Sequence, residues 1–272
     1  MLTVSELYIY PIKSLAGIAV DTSIVTSRGL QHDRRLMLVD ENNCFFTQRE
    51  YPEMALLQPF IKNEGLYIHH KQNTVSPLFI PHQSTTNETA VVKIWNDTCE
   101  AQLFETFINQ WFSQVLGLAC RLVFMQDNTI RYADKRYALN NEMTSFADDY
   151  PMLMIGNATL DDLNARLPEP VPMNRFRPNI VFNGGKPFLE DKMQEFTING
   201  IDFNGVKPCA RCIIPTINQD DSSKSKEPLK TLATYRLKEN KILFGQNLVH
   251  SGDGIISIGD AINIKKYQPS PI

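Results

Sequence analysis

The sequence predicts a mainly β fold of the α+β class, arranged in two unequal β-rich parts. Three observations carry that reading. Closely spaced apolar–polar alternation runs through the first third, one clear helical period occupies residues 105–116, and strand patterns return toward the end.

Taken in order, residues 2–9 alternate and are stopped by Pro11, and residues 18–26 repeat the pattern. Residues 35–39 end at the turn Asp40-Glu41-Asn42-Asn43 and residues 44–47 return, so 36–47 reads as a hairpin. Residues 66–70 and 90–94 add two short strands, and this spacing favours a barrel or sandwich. Phe104, Phe107, Ile108, Trp111, Phe112 and Val115 then recur at helical steps, giving one apolar face that Gly117 terminates. That aromatic stripe reads as core packing, not as a cofactor box. The polar stretch 127–149 reads as a long surface or site loop, which puts the boundary between the two parts near residues 118–125. Residues 159–167 make a short helix with Thr159 as N-cap and Asp161-Asp162 at its positive end. Strands follow at 179–183 and 195–198, and the turn Asn199-Gly200 leads into 201–203. The tract 218–227 is an exposed loop, and strands at 243–249, 254–258 and 261–265 close the chain.

Composition then narrows function. A net charge of −3 offers no basic excess for neutralising nucleic-acid phosphates. The apolar stretches fall short of the roughly 20 residues that span a bilayer, and the first residues carry no signal or transit pattern, so a cytoplasmic location is expected. Five cysteines without an export signal argue against a disulfide framework. Cys44, Cys99 and Cys120 stand alone in strand-like surroundings and read as small buried hydrophobes.

Cys209 and Cys212 differ. In Lys207-Pro208-Cys209-Ala210-Arg211-Cys212 the C-x-x-C pair lacks the second ligand pair that tetrahedral zinc requires, since His250 is the nearest downstream histidine and is alone. Ile213-Ile214-Pro215-Thr216 breaks any helix that thioredoxin-type chemistry would need after the motif. What remains is a single thiolate ligand or a structural thiol, with Arg211 favouring the thiolate. Lys13-Ser14 in a turn after Pro11, Arg34-Arg35 after Gly29, and Arg175 and Arg177 around Phe176 are each readable as solvated or salt-bridged cations. Together with one thiolate they suit a cofactor that carries both a soft metal and a phosphate.

These residues also resemble a family. Pro208-Cys209-Ala210-Arg211-Cys212, Pro215-Thr216, Lys226-Glu227-Pro228-Leu229 and Phe244-Gly245-Gln246 are similar to the MOSC domain, in particular its amidoxime-reducing branch. Tyr10-Pro11-Ile12-Lys13-Ser14, Asp33-Arg34-Arg35 and Thr47-Gln48-Arg49 resemble that branch's N-terminal β-barrel domain. Phe146-Ala147-Asp148-Asp149-Tyr150-Pro151 and Asn174-Arg175-Phe176-Arg177-Pro178-Asn179 match its central motifs. The resemblance runs through nearly the whole chain. It implies an N-terminal β-barrel domain over residues 1–120 and a MOSC β-barrel domain with a few helices over 121–268.

The resemblance further implies a molybdenum cofactor, a pterin whose dithiolene holds the metal. Cys212 would be the protein's sulfur ligand and the catalytic centre, with Cys209 a neighbour. Lys13, Ser14, Arg34, Arg177 and Asn179 fall on pterin- or phosphate-binding positions, Ala210 and Arg211 on the ligand loop, and Asp148 near it. Asn247 stands where some relatives carry an aromatic. The activity implied is reduction of N-hydroxylated compounds such as amidoximes, hydroxylamines or N-hydroxylated bases. Some relatives continue into an iron–sulfur domain whose cysteine set this sequence lacks, so a separate ferredoxin-type donor and its reductase are expected. The alternatives are a sulfur-transfer protein carrying a persulfide on Cys209 or Cys212, and a cofactor carrier without turnover.

Overall fold

Thr3–Ile9 leaves the segments that follow it. In the computed structural model, which describes residues 1–82 and 84–272, this strand pairs antiparallel with Ile180–Asn183 on one side and Ile18–Val20 on the other. It thereby joins a nine-stranded sheet built mostly from the second half: Ile262–Tyr267, Met193–Ile198, Ile201–Ala210, Lys241–Ser251, Met152–Gly156 and Ile180–Asn183, with Leu237–Lys238 added beside Lys241–Ser251. Val4, Leu7 and Ile9 go into the core with Phe196, Phe203 and Ile198. A register shift between Val4 and Glu6 explains why the buried positions are not strictly alternate, because an extra residue in a strand turns the following side chains over. In the reverse direction, Gly254–Ser257 pairs with Thr22–Thr26, so the two parts of the chain exchange strands.

The remaining sheets belong to the first half. Leu36–Val39 pairs with Arg121–Phe124, which pairs with Asp97–Leu103 and through it with Thr89–Ile94. Leu57–Lys62, Gly65–His70 and Leu78–Pro81 form a separate three-stranded sheet. The helix Thr106–Leu116 buries Ile108, Phe112 and Leu116 against Leu38, Leu57, Ile68 and Leu122, and Gly117 ends it in the left-handed conformation at φ 66°. Phe107, on the expected apolar face, is instead exposed. The protein is thus mainly β with three α-helices among the described residues, none long and apolar enough to cross a membrane.

Several local expectations change. The hairpin over 36–47 is short: it is a single bridge, Val39 to Phe45, with the Asp40 N–H donating to the Cys44 carbonyl at 2.9 Å and the Phe46 N–H to the Leu38 carbonyl at 3.0 Å, after which Cys44 bridges to Lys93. Residues 18–26 split into two strands at Asp21. Thr159 is not an N-cap: the helix is Asn157–Asn164 and begins after Gly156. The Thr159 hydroxyl is buried, donating to Glu190 Oε2 at 2.8 Å and accepting from the Phe188 N–H at 2.7 Å. Cys99 and Cys120 are buried as expected, whereas Cys44 is only half-buried.

Candidate active site

The ten residues singled out from the sequence line one cavity of about 190 Å³: Lys13, Ser14, Arg34, Asp148, Arg177, Asn179, Ala210, Arg211, Cys212 and Asn247. They arrive from separate parts of the fold. Lys13 and Ser14 follow the first strand, and the Lys13 N–H donates to the Leu36 carbonyl at 2.8 Å. Arg34 closes the turn before Leu36–Val39. Ala210 ends the strand Ile201–Ala210, and Cys212 lies just beyond it, before the short turn Ile214–Thr216 in which Pro215 limits further winding. Asn247 comes from the neighbouring strand, paired with Lys207 on one side and Leu153 on the other.

Three of these residues hold strained backbone. Ser14, Arg34 and Arg177 have φ of 67°, 49° and 55°, a region that side chains with a Cβ rarely adopt and that concentrates at functional sites. The strain at the two arginines has a common anchor. Arg34 and Arg177 both lie over the ring of buried Tyr10, at 4.5 and 4.3 Å from its centroid. Tyr10 is fixed through its hydroxyl, which donates to the Pro178 carbonyl at 3.0 Å, and its N–H, which donates to Asp33 Oδ1 at 2.8 Å.

The cations are not equally satisfied. Arg34 pairs with the buried Asp33 carboxylate at 2.6 Å and donates to Asn179 Oδ1 at 3.2 Å. The Arg177 side chain has no hydrogen-bond partner among the described residues, and burial pulls its pKa down to about 10. Asn179 is a brace: its Oδ1 also accepts from the Leu153 N–H at 3.2 Å, and its Nδ2 donates to the Tyr8 carbonyl at 3.2 Å. It ties two strands, Thr3–Ile9 and Met152–Gly156, to Arg34.

Asp148 gathers the rim. Its Oδ1 accepts from Lys13 Nζ at 2.5 Å and from the Trp95 indole at 3.1 Å, while its Oδ2 accepts from Arg49 at 3.3 Å. Partial withdrawal from water opposes its ionisation, yet Lys13 and Arg49 hold its carboxyl well below the usual carboxylate range. Lys13 Nζ also donates to the Phe146 carbonyl at 2.8 Å, and burial lowers its pKa to about 8 despite Asp148. The loop carrying Asp148 is held by buried Arg131, which donates to the carbonyls of Ser145, Ala147 and Asp148 at 2.7, 2.6 and 2.6 Å.

The thiol loop shows a division of labour. Cys209 accepts from Arg211 Nη1 at 3.1 Å and packs against the apolar cluster that contains Phe176 and Phe244. Arg211 Nη2 donates to the Phe176 carbonyl at 2.7 Å. Cys212 lies instead beside the Arg49 guanidinium; burial opposes the Arg49 charge, but Asp148 and the Cys212 sulfur outweigh it and raise its pKa. Over the whole lining, Lys13, Arg34, Arg49, Arg177 and Arg211 face only two carboxylates, Asp148 and Asp149. Such a cavity can hold an anion against an accessible soft sulfur donor.

Sequence reasoning alone did not assign roles to Tyr10, Arg49, Trp95 or Arg131. Tyr10 and Arg49 stand inside motifs quoted above, Tyr10-Pro11-Ile12-Lys13-Ser14 and Thr47-Gln48-Arg49, so their neighbours were the available signal. Trp95 had none, because its contacts are made across the fold, whereas Arg131 stands in the polar stretch 127–149 read as a surface or site loop and holds the other end of that same stretch.

Comparison with known proteins places these residues in context. Residues 1–119 match the MOSC N-terminal beta barrel domain and residues 141–263 match the MOSC domain. The chain is 31% identical over 281 residues to mitochondrial amidoxime reducing component 2 of Rattus norvegicus, covering 96% of this chain and 82% of that one. It is 29% identical over 279 residues to mitochondrial amidoxime-reducing component 1 of Homo sapiens, with the same coverage of 96% and 82%. It is 30% identical over 259 residues to molybdenum cofactor sulfurase of Oryza sativa subsp. japonica, where it covers 88% of this chain but spans only 31% of the relative.

Proposed function

The chain belongs to the MOSC domain family, and from that premise we propose that it is a molybdenum-cofactor-dependent reductase of N-hydroxylated compounds. The observation that carries the reading is the meeting of the Cys212 thiol with Lys13, Arg34 and Arg177 around one cavity, Arg177 with its donors unused. The relatives named amidoxime-reducing components support the reaction class.

The residues present fit the cofactor. An excess of positive charge with free guanidinium donors suits its phosphate, and one thiol suits a metal that brings its other ligands with it. The described residues contain no group of three or more His, Cys, Asp or Glu side chains that could hold a bare ion, which favours the same arrangement. In this reading Lys13, Arg34 and Arg177 hold the phosphate and the polar edge of the pterin, and Ser14 and the Ala210-Arg211 backbone line its path. Asn179 keeps Arg34 in place, Asp148 holds Lys13 and Arg49 at the rim, and Cys212 is the metal ligand. When bound, the cofactor would supply the oxygen-atom chemistry, while the protein orients it and limits side reactions. Electrons would come from a ferredoxin-type protein and its reductase. Asn247 lines the cavity with a side chain free of partners among the described residues, so it is placed to contact cofactor or substrate.

The test is metal analysis of the purified protein with pterin release on denaturation, followed by reduction of benzamidoxime with reduced viologen as donor. Stoichiometric molybdenum with amidine formation is expected. Sulfane sulfur on a cysteine without molybdenum would replace this reading with sulfur transfer, which the sulfurase relative favours. Full molybdenum occupancy without turnover from any donor would leave a cofactor carrier.

A further inference from the structure

Trp95 occupies a backbone position that its side chain does not explain. The strands Thr89–Ile94 and Asp97–Leu103 pair Ile94 directly with Asp97, so Trp95 and Asn96 form a two-residue turn. Trp95 has φ 54° there, at a turn position where glycine is the usual occupant. A bulky aromatic persists in such a conformation only when its surroundings fix it. Here three contacts do so. The indole N–H donates to Asp148 Oδ1 at 3.1 Å, the Arg49 guanidinium stacks 4.5 Å from the ring centroid, and the Phe45 ring meets it edge-on at 4.9 Å. Even so, Trp95 remains 42% exposed.

The exposed part lines a second cavity of about 520 Å³ beside the Cys212 site. Arg49 lines the first cavity and Trp95 the second, so guanidinium and indole form a two-layer partition, and the two cavities meet at Asp149, which lines both. The charges lining this groove sum to zero, Asp97, Asp134 and Asp149 against Arg131, Lys135 and Arg136, with Asp97 paired to Arg131 at 2.9 Å and Asp134 to Arg136 at 2.7 Å. A groove of balanced charge with an indole wall favours an uncharged planar body over an ion.

We propose that this groove is the subsite for the planar, aromatic body of the substrate and that Trp95 is its stacking wall, a role that rests on the reductase reading. The N-hydroxylated head of such a molecule passes Asp149 toward Cys212 while the ring lies against the indole. Trp95 therefore sets specificity: aromatic N-hydroxy compounds are preferred over small aliphatic ones by the stacking contact.

The chain has two tryptophans, and Trp111 sits on the helix with its N–H donating to the Ser76 carbonyl at 2.9 Å. In Trp111→Phe, emission reports Trp95 alone. Benzamidoxime should quench it saturably and acetamidoxime should not; this holds with or without turnover, so it separates the groove from the reductase reading. In the metal-loaded enzyme, Trp95→Leu should lower the ratio of kcat/KM for benzamidoxime over acetamidoxime by roughly three- to tenfold, chiefly through KM, and Trp95→Phe should restore most of it. Absence of saturable quenching, or an unchanged ratio in Trp95→Leu, overturns the proposal. If Trp95→Leu fails to fold, the presence or absence of saturable quenching in Trp111→Phe decides it.

Discussion

Lys13 and Asp148 lie 135 residues apart in the chain and meet at 2.5 Å on the rim of the cavity. Lys13 is buried while the Asp148 side chain is half-exposed, so the pair spans the step from protein interior to mouth. The lysine is consequently a cation that the fold partly desolvates, neutralises from one side only, and leaves facing a cavity with few acceptors.

That arrangement gives a pH dependence. Burial lowers the Lys13 pKa from 10.5 to about 8, so between these values the unfolded chain holds this proton more tightly than the folded one. The cost of burying the charge is present below pH 8 and is relieved as pH rises toward 10.5, so this residue's contribution to stability increases across the window. Anion binding moves the other way, because the cation is lost as pH rises through 8. Affinity for sulfate, whose charge is constant over this range, should fall by roughly tenfold between pH 7 and 9.5 in the wild type, the loss of one charge-assisted bond. In Lys13→Arg the step should be absent. Calorimetric titration of both proteins checks this, and equal pH profiles would remove Lys13 from the anion site.

The two thiols of the loop should separate cleanly. Cys212→Ser should reduce molybdenum retention and turnover by at least roughly a hundredfold, since a hydroxyl is a harder donor than a thiolate. Cys209→Ser should retain most of both, because Cys209 accepts from Arg211 and packs on the Phe176 cluster. Metal content per folded protein is the measurement, and equal losses in the two variants would contradict a single sulfur ligand.

Much of this was legible in the sequence, and what was not has a physical reason. Alternation and turn residues gave strands such as Gly65–His70, and period gave the helix Thr106–Leu116. Met152–Gly156 escaped because every residue in it is buried, so no alternation marks it. Asp97–Leu103 escaped because Cys99 and Ala101 are weak markers of an inward face. The exchange of Thr3–Ile9 and Gly254–Ser257 between the two parts is a matter of pairing partners, which local pattern does not encode. In the site, residues inside dense motifs, such as Lys13, Arg177 and Cys212, were accessible to reading. Trp95 acts through a carboxylate 53 residues along the chain, and Arg131 through carbonyls at the other end of its own loop, and nothing beside either residue announces it.

Arg177 offers a test of function against stability. It is a buried cation without a hydrogen-bond partner among the described residues, held only by its stacking on Tyr10. Arg177→Met should therefore leave the melting temperature unchanged or raise it, since an unpaired buried charge costs more than an apolar chain of similar size. Anion affinity should fall by about 1.5–3 kcal/mol, the worth of a hydrogen bond to a charged group. A thermal melt paired with pyrophosphate titration decides this; a large drop in melting temperature would mean that Arg177 is structural.

Asp191 and Arg236 supply the converse case. They form an ion pair at 2.6 Å with both side chains buried, Arg236 also donating to the Leu243 carbonyl at 3.0 Å and lying 4.1 Å from the Phe188 ring centroid. Neither lines the candidate site. Removing one partner strands the other charge in the interior, which costs about 3–5 kcal/mol. Arg236→Met should thus lower the stability by that order in a urea melt, with turnover per folded molecule kept within about twofold. The double replacement Asp191→Leu with Arg236→Met should recover most of the loss, because no charge is then left unpaired. If the double variant is as unstable as the single one, the pair contributes through packing around Phe188 and Leu243 and not through its charges.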